Sequence, residues 1–214
     1  MKLSRDQVQR RVHAIPELRF EDQKLTSFAG LFVFQLLFLR LDLKQRLRGC
    51  FRQLRSTRAY DHAVAVLGLI VHLLLGFRQL RDVRYYRDDP MVQRVLGLRR
   101  LPDVATVSRL LATASHDSVV ALRQLCRELV LQALTGLGLR RLTLDFDGSV
   151  IGTSRYAEGT AVGFNRKKKG QRSYYPLFCT VAQTGQVFDV LHRPGNVHDS
   201  NGAWALTYSI MLCN

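Results

Sequence analysis

Acidic residues are scarce. The 214-residue chain has 17 Asp and Glu against 32 Lys and Arg, a formal net charge of +15. An excess of that size attracts polyanions through its long-range field and through counterion release. Nucleic acid is therefore the leading partner and an anionic membrane surface the second, although a merely soluble or ribosome-like basic protein has the same composition. Cysteines are few and scattered: Cys50, Cys126, Cys179 and Cys213 show no C-x-x-C spacing. That argues against a zinc site and against a disulfide framework, and it fits a reducing cytoplasm. A long apolar run is missing too. The two most apolar stretches, 28–39 and 63–75, are broken by Gln35 and His72, fall short of a membrane span and read as buried helices. The first six residues hold no apolar run of the kind a signal peptide needs. With 47% hydrophobic residues the chain buries a proper core, which excludes a disordered protein.

What is present begins with helix patterns. Residues 1–24 are polar, with Pro16 as a breaker, and read as an arm or a short strand. From Thr26 to Leu47 apolar residues recur at helical spacing, with Thr26 or Ser27 as cap; the stretch is apolar nearly all round, which implies several packed neighbours. Leu43, Leu47 and Phe51 continue a second short helix whose other face is basic. Each of those arginines alone reads as a solvated charge; the cluster has the makings of a phosphate contact. Tyr60 to Leu80 reads as another helix, with Asp61 near its start. His72 within it reads as a hydrogen-bonded core residue. Asp88 to Leu98 is a capped helix with Pro90 in the first turn and Gly97 as the stop. Asp103 then caps 104–112. Two short helices around a tight turn suggest a helix-turn-helix, with Thr106, Ser108 and Arg109 facing DNA, or equally an ordinary helical hairpin. Asp117 to Leu134 is a further helix with Val119, Leu122, Leu125, Leu129 and Leu131 as its apolar positions, ended by the glycines at 136 and 138. The boundary between a helical region, 1–138, and a strand-rich region, 139–214, falls there.

The stretch 141–151 reads as a short buried strand. Leu142, Leu144 and Phe146 alternate with Thr143, Asp145 and Asp147, so both aspartates point to one side. Buried carboxylates are costly unless paired or bound to a metal, which makes this pair the first place to look for chemistry. A Gly-rich basic loop, 152–173, follows. It holds Arg166, Lys167, Lys168, Lys169 and Arg172, five positive charges within eight residues. Next to a carboxylate strand these favour phosphate contact over simple solvation. Residues 175–183 and 186–192 form a hairpin around Thr184-Gly185. Pro194-Gly195-Asn196 stops it, and Asp199 or Ser200 caps a last helix over 203–212.

Several of these segments together resemble the DDE transposases of bacterial insertion sequences, of the group 1 type. They are 144–151, with an aspartate before a Ser-bearing turn; Gly163-Phe164-Asn165 with the lysines after it and Tyr174-Tyr175-Pro176-Leu177; and the hairpin closing on 192–198. Upstream, Asp89-Pro90 through Arg109 is similar to the family's helical N-terminal region. The resemblance implies an RNase H-like catalytic domain, hence an α+β fold in which a helical domain precedes a truncated mixed sheet that begins as an antiparallel meander. It also implies two divalent metals, Mg²⁺ or Mn²⁺, held by three carboxylates. Water and then a DNA 3′-hydroxyl attack phosphodiester bonds there. Asp147 matches the family's first metal ligand; Asp145 is the second choice and shares its face. The implied partner is DNA at the transposon ends, with no membrane, and with a homodimer or an association with full-length transposase in a nucleoid-associated, cytoplasmic setting.

The departures from the family pattern carry as much weight. Its second aspartate follows the helix after the Pro-Gly-Asn turn. Asp199 falls before that helix and Asp189 lies mid-hairpin, so neither matches. The expectation is an N-terminal portion that does not catalyse alone, with an exposed sheet edge. A DNA-binding protein without catalysis, or an inhibitor of the full-length enzyme, is the competing reading. A different metal nuclease of RNase H-like fold is the third.

Overall fold

Capping residues mark out the helical half. A computed structural model describes residues 25–54, 60–153, 157–163, 165, 168–198, 200–204, 206 and 207. The arm over 1–24 lies outside the described residues. Among the described residues the helices are α1 (Leu31–Arg40), α2 (Leu43–Cys50), α3 (His62–Leu74), a 3-10 helix (Leu80–Tyr85), α4 (Pro90–Leu96), α5 (Val104–Ala112) and α6 (His116–Thr135). Asp61, Asp89, Asp103 and Ser115 each turn a side-chain oxygen onto free N–H groups of the helix that follows. Gly97 ends α4 in the left-handed conformation, φ 67°, that a side chain disfavours.

Three helix expectations change. Neither Thr26 nor Ser27 caps α1. Thr26 Oγ1 donates to Asp89 at 2.8 Å and the Ser27 N–H reaches the same carboxylate, so the segment is tied to the start of α4 and the helix begins only at Leu31. Nor is α1 covered all round. Leu31 is buried, but Phe32, Val33, Leu36, Leu37 and Leu39 are exposed, because among the described elements α1 packs chiefly against α2 and α4. The long helix over 60–80 ends at Leu74. Gly76, at φ 85°, turns the chain into the 3-10 helix.

The helical core gathers Leu31, Leu47, Phe51, Leu67, Val71, Val92, Leu96 and Leu125. His72 belongs to it: its Nδ1 lies 2.7 Å from the Tyr86 hydroxyl, and the ring packs on Phe77 and Tyr86. Burial, reinforced by Asp82, pushes the Tyr86 phenol up to about 12. Lys44 donates at 2.8 Å to the Leu96 carbonyl, satisfying the last turn of α4.

Two three-stranded antiparallel sheets follow. Strands β1 (Leu144–Gly148), β5 (Leu177–Val181) and β6 (Val187–Leu191) form the larger, in the order β1-β5-β6. Between β1 and β5 the chain builds a small sheet from β2 (Ile151–Gly152), β4 (Arg172–Tyr174) and β3 (Ala161–Val162), in the order β2-β4-β3. The stretch read as a basic loop therefore contains strands. The hairpin of β5 and β6 turns at Gly185, φ 68°, as the Thr-Gly pair implies. Cys179 pairs with Asp189 but Thr180 with Val187, so Phe188 is an extra residue, a β-bulge. Residues 203, 204, 206 and 207 are helical; Asp199 lies outside the described residues.

The second core is Leu134 from α6 with Leu177, Cys179, Val181, Phe188 and Leu206. A 20-residue helix, α6 thus gives Leu125 to one core and Leu134 to the other. Its expected apolar face is only partly right: Val119 and Leu131 are exposed while Ser118 and Arg127 are buried.

Gly68 lies within α3, beside a small apolar cavity of about 30 Å³ also lined by His72, Val83, Leu96 and Val107. A Cβ added there meets nothing within 4 Å. Gly68→Ala removes the backbone entropy cost of glycine in a helix and should stabilise the chain by roughly 0.5–1 kcal/mol. Thermal or urea unfolding reads this; a lowered midpoint would show that the cavity does not accept the methyl group.

Candidate active site

Strand β1 is an edge strand with one neighbour. Asp145 sits opposite Thr180 and Asp147 opposite Phe178. It was expected to be buried, but Asp145, Phe146 and Asp147 are exposed and Leu144 and Gly148 only half-buried. The reason is topological: β5 covers one edge, no strand among the described residues covers the other, and α6 covers only one face.

Side chains alternate across the sheet, so its two faces are distinct. Leu177, Cys179 and Val181 of β5 are buried in the core beneath α6, while Phe178 and Thr180 are half-buried on the opposite face. Through the pairing, Asp145 and Asp147 share the face of Phe178 and Thr180. Among the described residues, neither carboxylate is met by a cation or a hydrogen-bond donor, so both are available to an incoming ligand.

Past Asp147 the backbone is tightly held. The Tyr175 ring lies where a side chain on residue 148 would go, so any larger residue there must displace the ring. Ser149 N donates to the Pro176 carbonyl at 3.1 Å. Buried Arg193 stacks over the Tyr175 ring at 5.2 Å, donates to the carbonyls of Tyr175 at 2.9 Å and His198 at 3.3 Å, and also reaches that of Asn201. Gly163 and Gly195 touch backbone to backbone; a Cβ on either would overlap main-chain atoms. The small sheet and the turn after β6 are thereby clamped beside the end of β1.

A third aspartate is used differently. Asp189, on β6, faces α6 with its side chain 1% exposed. Arg123 donates to it with Nε at 2.9 Å and Nη2 at 2.7 Å, a bidentate fork. Arg127 adds Nε at 3.2 Å and Nη2, and the Val190 N–H adds 2.8 Å. Burial works against the charge of Asp189 most strongly, but the hydrogen bonds from Arg123 and Arg127 outweigh it and hold the carboxyl below its ordinary value. Burial, with Asp189 nearby, pushes the Cys179 thiol up to about 11. Asp189 lies on the sheet face opposite Asp145 and Asp147 and is fully engaged, so it is a structural group. The two arginines were missed in the sequence; a charged pair at i, i+4 within an apolar pattern was the available signal.

The expected DNA-binding residues fall in separate places. Arg166 and Lys167 lie outside the described residues. Lys168 and Lys169 are exposed on a turn that the Asn165 side chain closes by accepting from Lys168 N at 3.0 Å. Arg172 lies on β4, where its guanidinium donates to Thr160 Oγ1 at 2.8 Å and to the Thr160 carbonyl. Ser108 and Arg109 are exposed on α5 and Thr106 is half-buried; Arg109 Nη2 donates to Thr106 Oγ1 at 3.2 Å. Helix α5 packs on α3 and the 3-10 helix, so these residues belong to the helical half and not to the carboxylate face.

Two carboxylates on neighbouring same-face positions are suitable oxygen ligands for a hard cation. A site for two such ions needs more of them. Among the described residues no three His, Cys, Asp or Glu side chains come together as a metal site. The residues described thus do not by themselves fit the metal centre that the resemblance implies.

A family model described as "Transposase DDE domain group 1" matches residues 9–213. No curated protein and no solved structure matches the chain significantly. The chain belongs to the DDE transposase family. That places its function in DNA transposition, among domains that act on DNA and generally use divalent metal ions. Among the described residues no helix is long and apolar enough to cross a membrane.

Asp189→Asn removes the charge that both guanidiniums face. Breaking a buried ion pair by altering one partner costs about 3–5 kcal/mol, so the variant should unfold at markedly lower urea. Since the folded carboxyl titrates below the unfolded value of about 4, the stability it supplies is complete above that pH and is lost as pH falls through the depressed folded value. An unfolding series from pH 6 to pH 2 with a slope no different in the variant would contradict this role.

Proposed function

We propose that the chain carries the first-ligand strand of a metal-dependent DNA transposase, with Asp147 as the principal ligand and Asp145 beside it. The carrying observation is that both carboxylates stand on the open sheet face, unengaged, in a chain matched by the transposase family model over 9–213. The activity in view is phosphodiester cleavage followed by strand transfer at transposon ends, with Mg²⁺ or Mn²⁺. The three antiparallel strands β1, β5 and β6 are read as the opening part of an RNase H-like sheet. The helical segment up to residue 138 is read as a separate region that holds DNA, with 88–114 as a helix-turn-helix, and residues 139–214 as belonging to the catalytic domain. The remaining carboxylates are assigned to residues outside those described, or to a full-length partner in a homodimer or mixed assembly working on the nucleoid.

The second reading, a DNA-binding protein or inhibitor without catalysis, is favoured by one observation. No third acidic side chain joins Asp145 and Asp147 among the described residues.

Incubating the 214-residue chain with Mg²⁺ and DNA bearing the flanking inverted repeats should give no strand cleavage. Robust cleavage would overturn the claim that this chain does not complete the site. In an enzyme assembled with the missing carboxylates, Asp147→Ala should abolish cleavage and Asp145→Ala should weaken it; the reverse ranking would reassign the ligand. Neutralising Lys168 and Lys169 should lower DNA affinity and flatten its salt dependence. Unchanged binding would make that turn an ordinary solvated loop.

A further inference from the structure

The 3-10 helix carries a pattern that the transposase reading does not use. Arginines stand at 78, 81, 84 and 87, three residues apart. A 3-10 helix has three residues per turn, so side chains at that spacing eclipse each other instead of drifting round the axis. Arg81 and Arg84 lie within the helix, Leu80–Tyr85, and are stacked one turn apart, about 6 Å along the axis. Arg78 precedes the helix across extended Gln79 and Arg87 follows its end, so the two flank the pair. All four are exposed. Arg78 and Arg81 make no ion pair with the described residues. Arg87 approaches Asp88 only at 4.0 Å, and Asp82, the acid within the helix, is offset from the row and half-buried.

Aromatic packing holds Arg84. Phe77 stacks on Tyr85, with ring centroids 5.9 Å apart and planes 11° apart. Arg84 lies 4.8 Å from the centre of the Tyr85 ring and donates to its hydroxyl at 2.9 Å. Such stacking fixes a guanidinium while leaving N–H groups outward. The helix packs on α5, which also carries exposed Ser108 and Arg109.

We infer that Arg78, Arg81 and Arg84 form a phosphate-tracking ridge that holds the backbone of duplex DNA, with α5 as its neighbour. Two exposed guanidiniums one short turn apart, one of them held on an aromatic ring and a third just before them in the chain, suit the repeat of phosphates along a strand, and arginine forks suit phosphate oxygens. The contact reads no sequence; it positions the duplex. It rests on the reading that this chain handles DNA, and adds a surface remote from the carboxylate strand.

The test uses the full 214-residue chain and a short fluorescent duplex of random sequence, with affinity followed against salt. The triple variant Arg78→Gln/Arg81→Gln/Arg84→Gln should bind at least about tenfold more weakly at low salt, with a log–log salt slope smaller by about 2–3. Its thermal midpoint should stay near that of the parent, because all three side chains are exposed. Arg→Lys at the same positions should restore most of the slope. If the triple Gln variant fails to fold, the single Arg81→Gln variant carries the test, with a slope loss near one. Parent binding with no change in the variants would overturn the ridge and leave the DNA reading standing. A parent that binds no duplex at all would overturn both. Loss of binding to phosphatidylserine vesicles with DNA binding intact would overturn the ridge in favour of a membrane surface.

Discussion

One buried ion cluster joins the two halves of this chain. Helix α6 leaves the helical core and passes under the sheet, and where it does so Arg123 and Arg127 close on Asp189. A carboxylate with 1% side-chain exposure has lost nearly all its water. Only the two guanidiniums and the Val190 N–H make that tolerable. Hydrogen bonds of this kind are directional, so they fix both the roll of α6 and its position along β6. Apolar packing such as that of the core that Leu134 shares with Val181 and Phe188 tolerates more sliding.

The position of the helix decides what the sheet offers. With α6 on one face, that side is filled by Leu177, Cys179 and Val181 and closed to solvent. The other side keeps Asp145 and Asp147 open beside Phe178 and Thr180. The buried, ion-paired acid and the two open ones are therefore separated by the thickness of one sheet. Around the end of β1, ring stacking and backbone contact between glycines hold the chain where flexible loops would otherwise blur the geometry.

Much of the helical half was legible because its signals are local. Asp89 with Pro90 and Gly97, and Asp103 before an apolar helix, each act within a turn of themselves, and the structure uses them as read. The Thr-Gly turn of the hairpin is local in the same way. What escaped depends on distance along the chain. The partners of Asp189 lie more than 60 residues upstream, and the i, i+4 spacing of Arg123 and Arg127 does not say which carboxylate they meet. The small sheet is made of strands two or three residues long, too short for any period. The exposure of β1 and of one side of α1 was illegible for another reason. Apolar alternation says which side seeks cover, but the cover itself must come from other elements, and sequence periodicity does not reveal whether they arrive.

The bulge at Phe188 has a consequence for the chemistry of the sheet. If Phe188 were paired instead of bulged, the register set by Thr180 and Val187 would continue, bringing Phe188 opposite Cys179 and Asp189 opposite Phe178. Since Phe178 pairs with Asp147 on its other side, Asp147, Phe178 and Asp189 would then lie in one row across the three strands. A single inserted residue flips a carboxylate from one face of a sheet to the other. Here the bulge assigns Asp189 to the arginines of α6; the same strand paired without the bulge would place it in the row of Asp147 as a third acidic group on the open face.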